Sequence, residues 1–443
     1  MKTFGRWSAV FVVAIGLLAS ACTSQTSKQG TSGSSGSSAN GLAANNDSAS
    51  STVGISDDQI NIAFIGVDFS ALASTGLVPD LGDQQKQVQS VVDDINANGG
   101  INGRKINLHF KLLDGISGGA DATQAACIEA TQEFKAAVVI LPPAASRDLA
   151  RCTAVTNKTL TIYATGMDSG LYTESQGRLF TPGGMSIDRQ FRGWADEMNK
   201  EGLLDGKTVG VVAGDAPQEF ANGVNQVLVP ELEKLGHKAA QVVTLPCTSG
   251  QTSCEQYDTA AQKLKDANVD TVFMTLANTF GSGLIQAASN IGYHPKWLLE
   301  GNQTTDTVLK FFDSVKGDLG GSPGMGFAFK DPSASATECN KIVTDRSGEV
   351  YEPGSDAFGF AAVVCHEFRY VDQAGDKIDK ATLNQGALIS GIEGLGTIPL
   401  GIGPDGTLSP TKHDGLDFMY LCDVDAASGK CVIRPGDPVP IAG

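Results

Sequence analysis

Few side chains in this 443-residue chain are spaced for chemistry. Gly202-Leu-Leu-Asp-Gly-Lys-Thr208 carries the glycines, lysine and hydroxyl of a phosphate loop. However, its glycines are too close together, and it precedes a strand-like run instead of following one, so it reads as a turn. His366-Glu367 falls inside a helical pattern beside Cys365, where packing or surface exposure explains it, and His413-Asp414 lies in a polar loop. There is no His-Glu-x-x-His and no dinucleotide fingerprint after the first strand, so nothing calls for catalysis, and the chain is read as a binder, not an enzyme. Nine cysteines are the richest reactive set. With Cys22 set aside, the remainder is even in number, which in an exported chain indicates disulfides whose pairing spacing alone leaves open. Locality favours Cys247 with Cys254 around a turn-rich loop, and Cys422 with Cys431 between two strand-like runs. It then favours Cys127 with Cys152 and Cys339 with Cys365, each on consecutive helices. Cys-x-x-Cys is absent and the five histidines lack ligand spacing, so neither a metal nor any other cofactor is expected.

The charge balance narrows the partners. With 32 Lys and Arg against 49 Asp and Glu the net charge is −17, which leaves little with which to build a phosphate-binding face, so nucleic acid is not expected. Lys2 and Arg6 precede an apolar run, Ala9 to Leu18, that is shorter than a membrane span, and Leu18-Ala-Ser-Ala-Cys22 follows. This is similar to a bacterial lipobox. It implies a signal peptide at 1–21, lipid on Cys22, and anchorage on the outer face of a bacterial cell membrane, with Ala19 departing from the more usual leucine. An ordinary secreted protein cut near Ala21 is the alternative. Residues 22–53 are dominated by Ser, Gly, Thr, Asn and Ala and cannot repay their ordering entropy. They read as a tether with a reach of roughly 30 Å.

Beyond the tether, strands and helices alternate. Ile60 to Val67 is a continuous apolar strand. In the next segment Val88, Val91, Val92 and Ile95 recur at helical spacing, and Asn98-Gly99-Gly100 stops that helix. Strands at 106–113, 137–141 and 159–163 alternate with helices at 120–134 and 146–155. After Thr181-Pro-Gly-Gly184 a second series repeats the pattern, with strands at 208–213, 239–245, 269–276 and 296–299. Buried strands joined by crossover helices form parallel sheets, so the fold class is α/β with two doubly wound, Rossmann-like lobes.

The sequence also resembles a known family. Asp94-Ile-Asn-Ala-Asn-Gly-Gly-Ile-Asn-Gly-Arg-Lys-Ile-Asn-Leu108 is similar to the segment after the first helix of branched-chain amino-acid binding proteins, type I periplasmic binding proteins that serve ABC importers. Asp205-Gly-Lys-Thr-Val-Gly-Val-Val212, Asn268-Val-Asp-Thr-Val-Phe273 and Ala287-Ala-Ser-Asn-Ile-Gly-Tyr293 resemble later segments of that family in the same order. The resemblance implies a ligand cleft between the lobes, with lobe 1 at 54–181 plus 302–398 and lobe 2 at 182–301 plus 399–443. Open α/β sheets bind ligands beyond the carboxyl ends of their strands, which points to Asp68, Ser70, Ala144, Ala145, Ser146, Thr165 and Gly166 from the first lobe. The Ser146 hydroxyl either holds a carboxylate or caps a helix, or does both. The second lobe would offer Asp215, Phe220, Asn278, Phe280 and Glu300. The resemblance gives Glu300 the role of pairing an α-ammonium.

Departures from the family pattern widen the ligand class. Ser70-Ala71 stands for Ser-Gly, Phe220-Ala221 for Tyr-Gly, and Met167 for a hydroxyl-bearing residue. Amino acids, aromatic acids, amides, urea and short peptides all suit the architecture. The expected function is capture of a small polar molecule by cleft closure and its delivery to ABC permease subunits, by a monomer held to the membrane through its lipid. A ligand sensor of the same fold without transport is the alternative.

Overall fold

A computed structural model of the protein describes residues 50–73, 78–115, 119–216, 218–247, 254–276, 280–301, 309–326, 332–401 and 403–442. The leader, Cys22 and nearly all of the expected tether lie outside the described residues. The body contains two main sheets.

The first sheet has strand order β2-β1-β3-β4-β5 and is parallel throughout. Its strands are β1 (Gln59–Asp68), β2 (Lys105–Asp114), β3 (Val138–Leu141), β4 (Leu160–Tyr163) and β5 (Leu179–Phe180). Ile60, Ile62, Phe64 and Ile65 of β1 are fully buried because β1 lies inside the sheet and helices cover both faces. Helix Gln84–Ala97 lays Val88, Val91, Val92 and Ile95 into the core, as their spacing predicts, and the Asp83 side chain caps its start by accepting from Lys86 N at 3.0 Å. The chain then turns sharply at Gly100, whose φ of 71° and close approach to the Arg104 carbonyl leave no room for a Cβ.

The second sheet has strand order β14-β13-β10-β9-β8-β6-β7, with β15 paired to β13. Its strands are β6 (Val209–Gly214), β7 (Gln241–Leu245), β8 (Thr271–Thr275), β9 (Lys296–Leu299), β10 (Pro323–Gly326), β13 (Phe418–Asp425), β14 (Lys430–Ile433) and β15 (Val439–Pro440). Helix Ile187–Lys200 packs on this sheet through Trp194, whose ring stands edge-on to Phe273 at 4.7 Å. A small ribbon pairs β11 (Thr397–Ile398) with β12 (Gly406–Thr407).

The resemblance places residues 302–398 with the first lobe; within that stretch β10 pairs with β9 and β13 and so lies in the second sheet. The chain returns to the first sheet only with helix Ala334–Ser347, which packs on helix Gln84–Ala97. Helix Asp356–Asp376 packs against both. The four disulfides formed are Cys127–Cys152, Cys247–Cys254, Cys339–Cys365 and Cys422–Cys431.

Candidate ligand-binding site

Parallel strands end on a common edge, and the loops leaving that edge run into helix N-termini whose amides are unpaired. On the first sheet this edge carries the loops after β1, β3 and β4, and on the second those after β6, β8 and β9. Asp68 and Ser70 are exposed after β1, where the Asp68 carboxylate accepts from Ser70 N at 2.8 Å and tightens the turn. After β3, Ala144 takes a left-handed φ of 75°, and the buried Ala145 carbonyl accepts from the Tyr163 hydroxyl at 2.5 Å. Ser146 is exposed and caps helix Arg147–Arg151, its Oγ accepting from Leu149 N at 3.2 Å. Arg147 then reaches across to an ion pair with Asp168, joining the loop after β3 to the loop after β4.

The loop after β4 is the best-defined part of the site. Thr165 and Gly166 are half-buried, and a Cβ on Gly166 would lie 1.7 Å from the Met185 carbonyl oxygen, so only glycine lets this loop press against 184–185. That approach lets the Met167 carbonyl accept from Ile187 N at 3.1 Å, at the start of helix Ile187–Lys200. Three residues further along, Gln190 Nε2 donates to Glu300 Oε2 at 2.6 Å. The same helical turn therefore receives Thr165–Met167 from the first sheet and Glu300 from the end of β9 on the second. Glu300 is 0 % exposed.

The other expected residues divide. Asp215 holds the neck of the Cys247–Cys254 loop, its carboxylate accepting from Cys247 N at 2.6 Å. Phe220 is half-buried, its ring 6.0 Å from that of Phe191. Phe280 is buried in the apolar cluster that includes Met274, Leu284 and Phe312, so its ring packs the interior of the lobe. Asn278 lies outside the described residues. Two histidine pairs dissolve into structure. Burial holds the His366 imidazole down to about 4, and Glu367 beside it is buried within the same helix. His413 and Asp414 turn to different partners.

Sequence reasoning missed Gln190 and Tyr172. Gln190 was detectable in principle, as a polar side chain on the same helical face as Ile187, Phe191 and Trp194, all buried. Tyr172 bonds its hydroxyl to Thr181 Oγ1 and accepts from Met167 N at 3.4 Å. Burial raises its pKa above the usual phenol range, keeping it neutral.

No curated protein matches the chain by sequence. Solved structures do match in fold. The substrate-binding protein LivJ of a branched-chain amino acid transporter from Streptococcus pneumoniae, in complex with isoleucine, is 16% identical. The match covers 86% of this chain and 100% of that one, with a TM-score of 0.59. A solute-binding protein of an ABC transporter from R. palustris, in complex with 4-hydroxybenzoate, is 13% identical over 87% of this chain and 98% of that one, with a TM-score of 0.61. A fatty acid ABC transporter substrate-binding protein from Thermomonospora curvata is 15% identical over 88% and 94%, at 0.59. The sequence profile of the family described as periplasmic binding protein matches residues 69–430, and the chain belongs to that family.

Proposed function

We propose that this periplasmic binding protein captures an amino acid or a closely related small polar molecule between its two lobes, closes on it, and presents it to the permease of an ABC importer. The observation that carries this reading is the buried Glu300 carboxylate at the end of β9, which accepts from Gln190 on the helix whose first residue, Ile187, bonds to the loop after β4. A carboxylate there is the group an α-ammonium would pair with, while the hydroxyl of Thr165 and the amides around Ser146 would take the α-carboxylate. Lobe 1 would comprise 54–181 with 332–398, and lobe 2 187–326 with 418–440, so that β10 stays with its sheet. The similar proteins include one in complex with isoleucine, one in complex with 4-hydroxybenzoate and one of a fatty acid transporter, so the amino-acid choice rests on Glu300 and not on likeness. Closure requires the ligand to favour the closed shape, since equal affinity for both shapes shifts nothing. Cys22 would carry the lipid that holds this monomer near its permease, raising the local concentration there.

The test is thermal unfolding of the body from Val53 onward against leucine, isoleucine, valine, other amino acids, 4-hydroxybenzoate and a fatty acid. A ligand at a thousand times its dissociation constant stabilises by about 4 kcal/mol, a shift of several degrees in the midpoint. A rise confined to amino acids is the expected outcome. A rise only with acids that lack an ammonium would remove the role given to Glu300.

A further inference from the structure

The two chain crossings visible among the described residues run side by side. Residues 181–186 leave β5 for helix Ile187–Lys200, and residues 408–417 lead from the β11–β12 ribbon into β13. They pair as a short parallel ribbon: Thr181 N donates to the His413 carbonyl at 2.8 Å, Gly415 N to the Thr181 carbonyl at 3.0 Å, and Leu416 N to the Gly184 carbonyl at 3.0 Å. A Cβ on Gly415 would lie 2.0 Å from the Pro182 carbonyl oxygen, so the contact leaves no room for a side chain there.

Within this ribbon two adjacent residues reach to opposite lobes. His413 turns to the first sheet, with its ring stacked on Phe180 at 4.1 Å, Nδ1 3.2 Å from the Leu179 carbonyl and Nε2 3.0 Å from Glu393 Oε1. Asp414 turns to the second lobe, where its Oδ2 accepts from Ser186 N at 2.7 Å and from Arg189 Nη1 at 2.8 Å. Arg189, on the first turn of helix Ile187–Lys200, has partners for all of its N–H directions. Nε donates to the Ala442 carbonyl at 2.9 Å, Nη1 also to the Leu416 carbonyl at 3.0 Å, and Nη2 to Asp417 Oδ1 at 2.9 Å and the Ile441 carbonyl at 2.8 Å. It is only 7% exposed. One guanidinium thus joins the helix, the 408–417 crossing and the 439–442 segment, which also pairs β15 with β13.

We propose that Arg189 is a positioning residue for closure: it welds the 414–417 end of the crossing and the 439–442 segment to the second lobe, so that this end, to which Lys412 is also paired through Asp417 at 3.0 Å, moves with that lobe and bending falls on the first-lobe side of it. The inference rests on the closing-cleft reading, but it concerns the hinge and not the ligand. A planar fork with five donors fixes the relative orientation of three segments, which a single ammonium cannot do.

The test needs no ligand. Nitroxide labels are attached through a ketone-bearing amino acid at exposed Asp121 and Lys263, one in each lobe, leaving the disulfides intact. Inter-lobe distances are then measured by pulsed electron paramagnetic resonance in the wild type, Arg189→Met, Arg189→Lys, Asp417→Asn and a chain ending at residue 438. The expected result is a broadened distribution in Arg189→Met and in the shortened chain, and a smaller broadening in Arg189→Lys and Asp417→Asn. A control pair of labels within the second lobe should keep its wild-type width. If Arg189→Met does not fold, the shortened chain and Asp417→Asn decide. Wild-type widths in the folded variants, with only thermal stability reduced, would overturn the proposal. Because the ligand screen is separate, failure of the amino-acid reading would leave this result interpretable.

Discussion

Glu300 and Gln190 concentrate the specificity argument into one hydrogen bond. Glu300→Gln preserves volume and keeps an oxygen for Gln190 while removing the charge. If an α-ammonium is what the site holds, that substitution costs about 2 kcal/mol or more of binding, roughly 30-fold in affinity, because one partner of a desolvated charge pair is gone. Isothermal titration with whichever amino acid raises the unfolding midpoint checks this, and equal affinity in the two proteins would make Glu300 a bystander. At this scale the sequence was partly legible. Glu300 could be placed by its position at a strand end together with the family resemblance, whereas its partner could not, since Gln190 lies 110 residues away and only the packing of helix on sheet brings the two together. The two phenylalanines make the same point: Phe220 and Phe280 both follow strands of the second sheet. Yet Phe280 is buried in a cluster with Met274 and Leu284 while Phe220 stays half-exposed, a difference their like positions after a strand do not carry.

Among the elements, helix Asp356–Asp376 carries an unusual load of buried ionisable groups. Burial raises Glu367 well above the usual carboxylate range, and neither of its oxygens has a hydrogen-bond partner among the described residues. The folded chain then keeps a proton that the unfolded chain has lost. The stability this contributes is whole below 4.5 and is lost as pH rises through the folded value. Asp372, pushed up to about 6 by burial and then by Asp376, acts in the same direction. His366 acts in the opposite one: held down to about 4 by burial, it favours folding above 6.5 and loses that contribution as pH falls from 6.5 toward 4. Glu367→Gln should therefore leave stability below pH 4.5 unchanged, raise the unfolding midpoint above it, and flatten the decline that the wild type shows as pH rises from there. Parallel curves for wild type and variant would show that Glu367 is not the titrating group. The limits of the helices were read closely, but their interiors were not. Glu129–Glu133, Cys152–Thr156 and Val224–Leu228 are π-helical, and a 3.6-residue pattern does not register one widened turn. The last has a visible cause in Pro230, which has no N–H to give to the preceding turn and whose ring would crowd it.

The molecule as a whole was legible where strands are long and apolar and obscure where they are short and rich in glycine. The two parallel series could be counted from their buried runs, yet β10, Pro323-Gly-Met-Gly326, offers a single large side chain and no alternation, so its place beside β9 follows only from the sheet. Periplasmic binding proteins act outside the cytoplasmic membrane. Among the described residues no helix is long and apolar enough to cross a membrane. The proposed membrane attachment is through lipid on Cys22, after the apolar leader. One acyl chain binds a bilayer only marginally, so stable anchoring implies more than one chain on that residue. Cys22→Ser removes the acceptor and leaves every disulfide cysteine in place. Fractionation of cells making this variant should move the protein from the membrane pellet to the soluble extracytoplasmic fraction, with its ligand-induced thermal shift unchanged. Continued sedimentation with membranes would place the anchor in the apolar leader itself, retained as an uncleaved segment, and would remove the role given to Cys22.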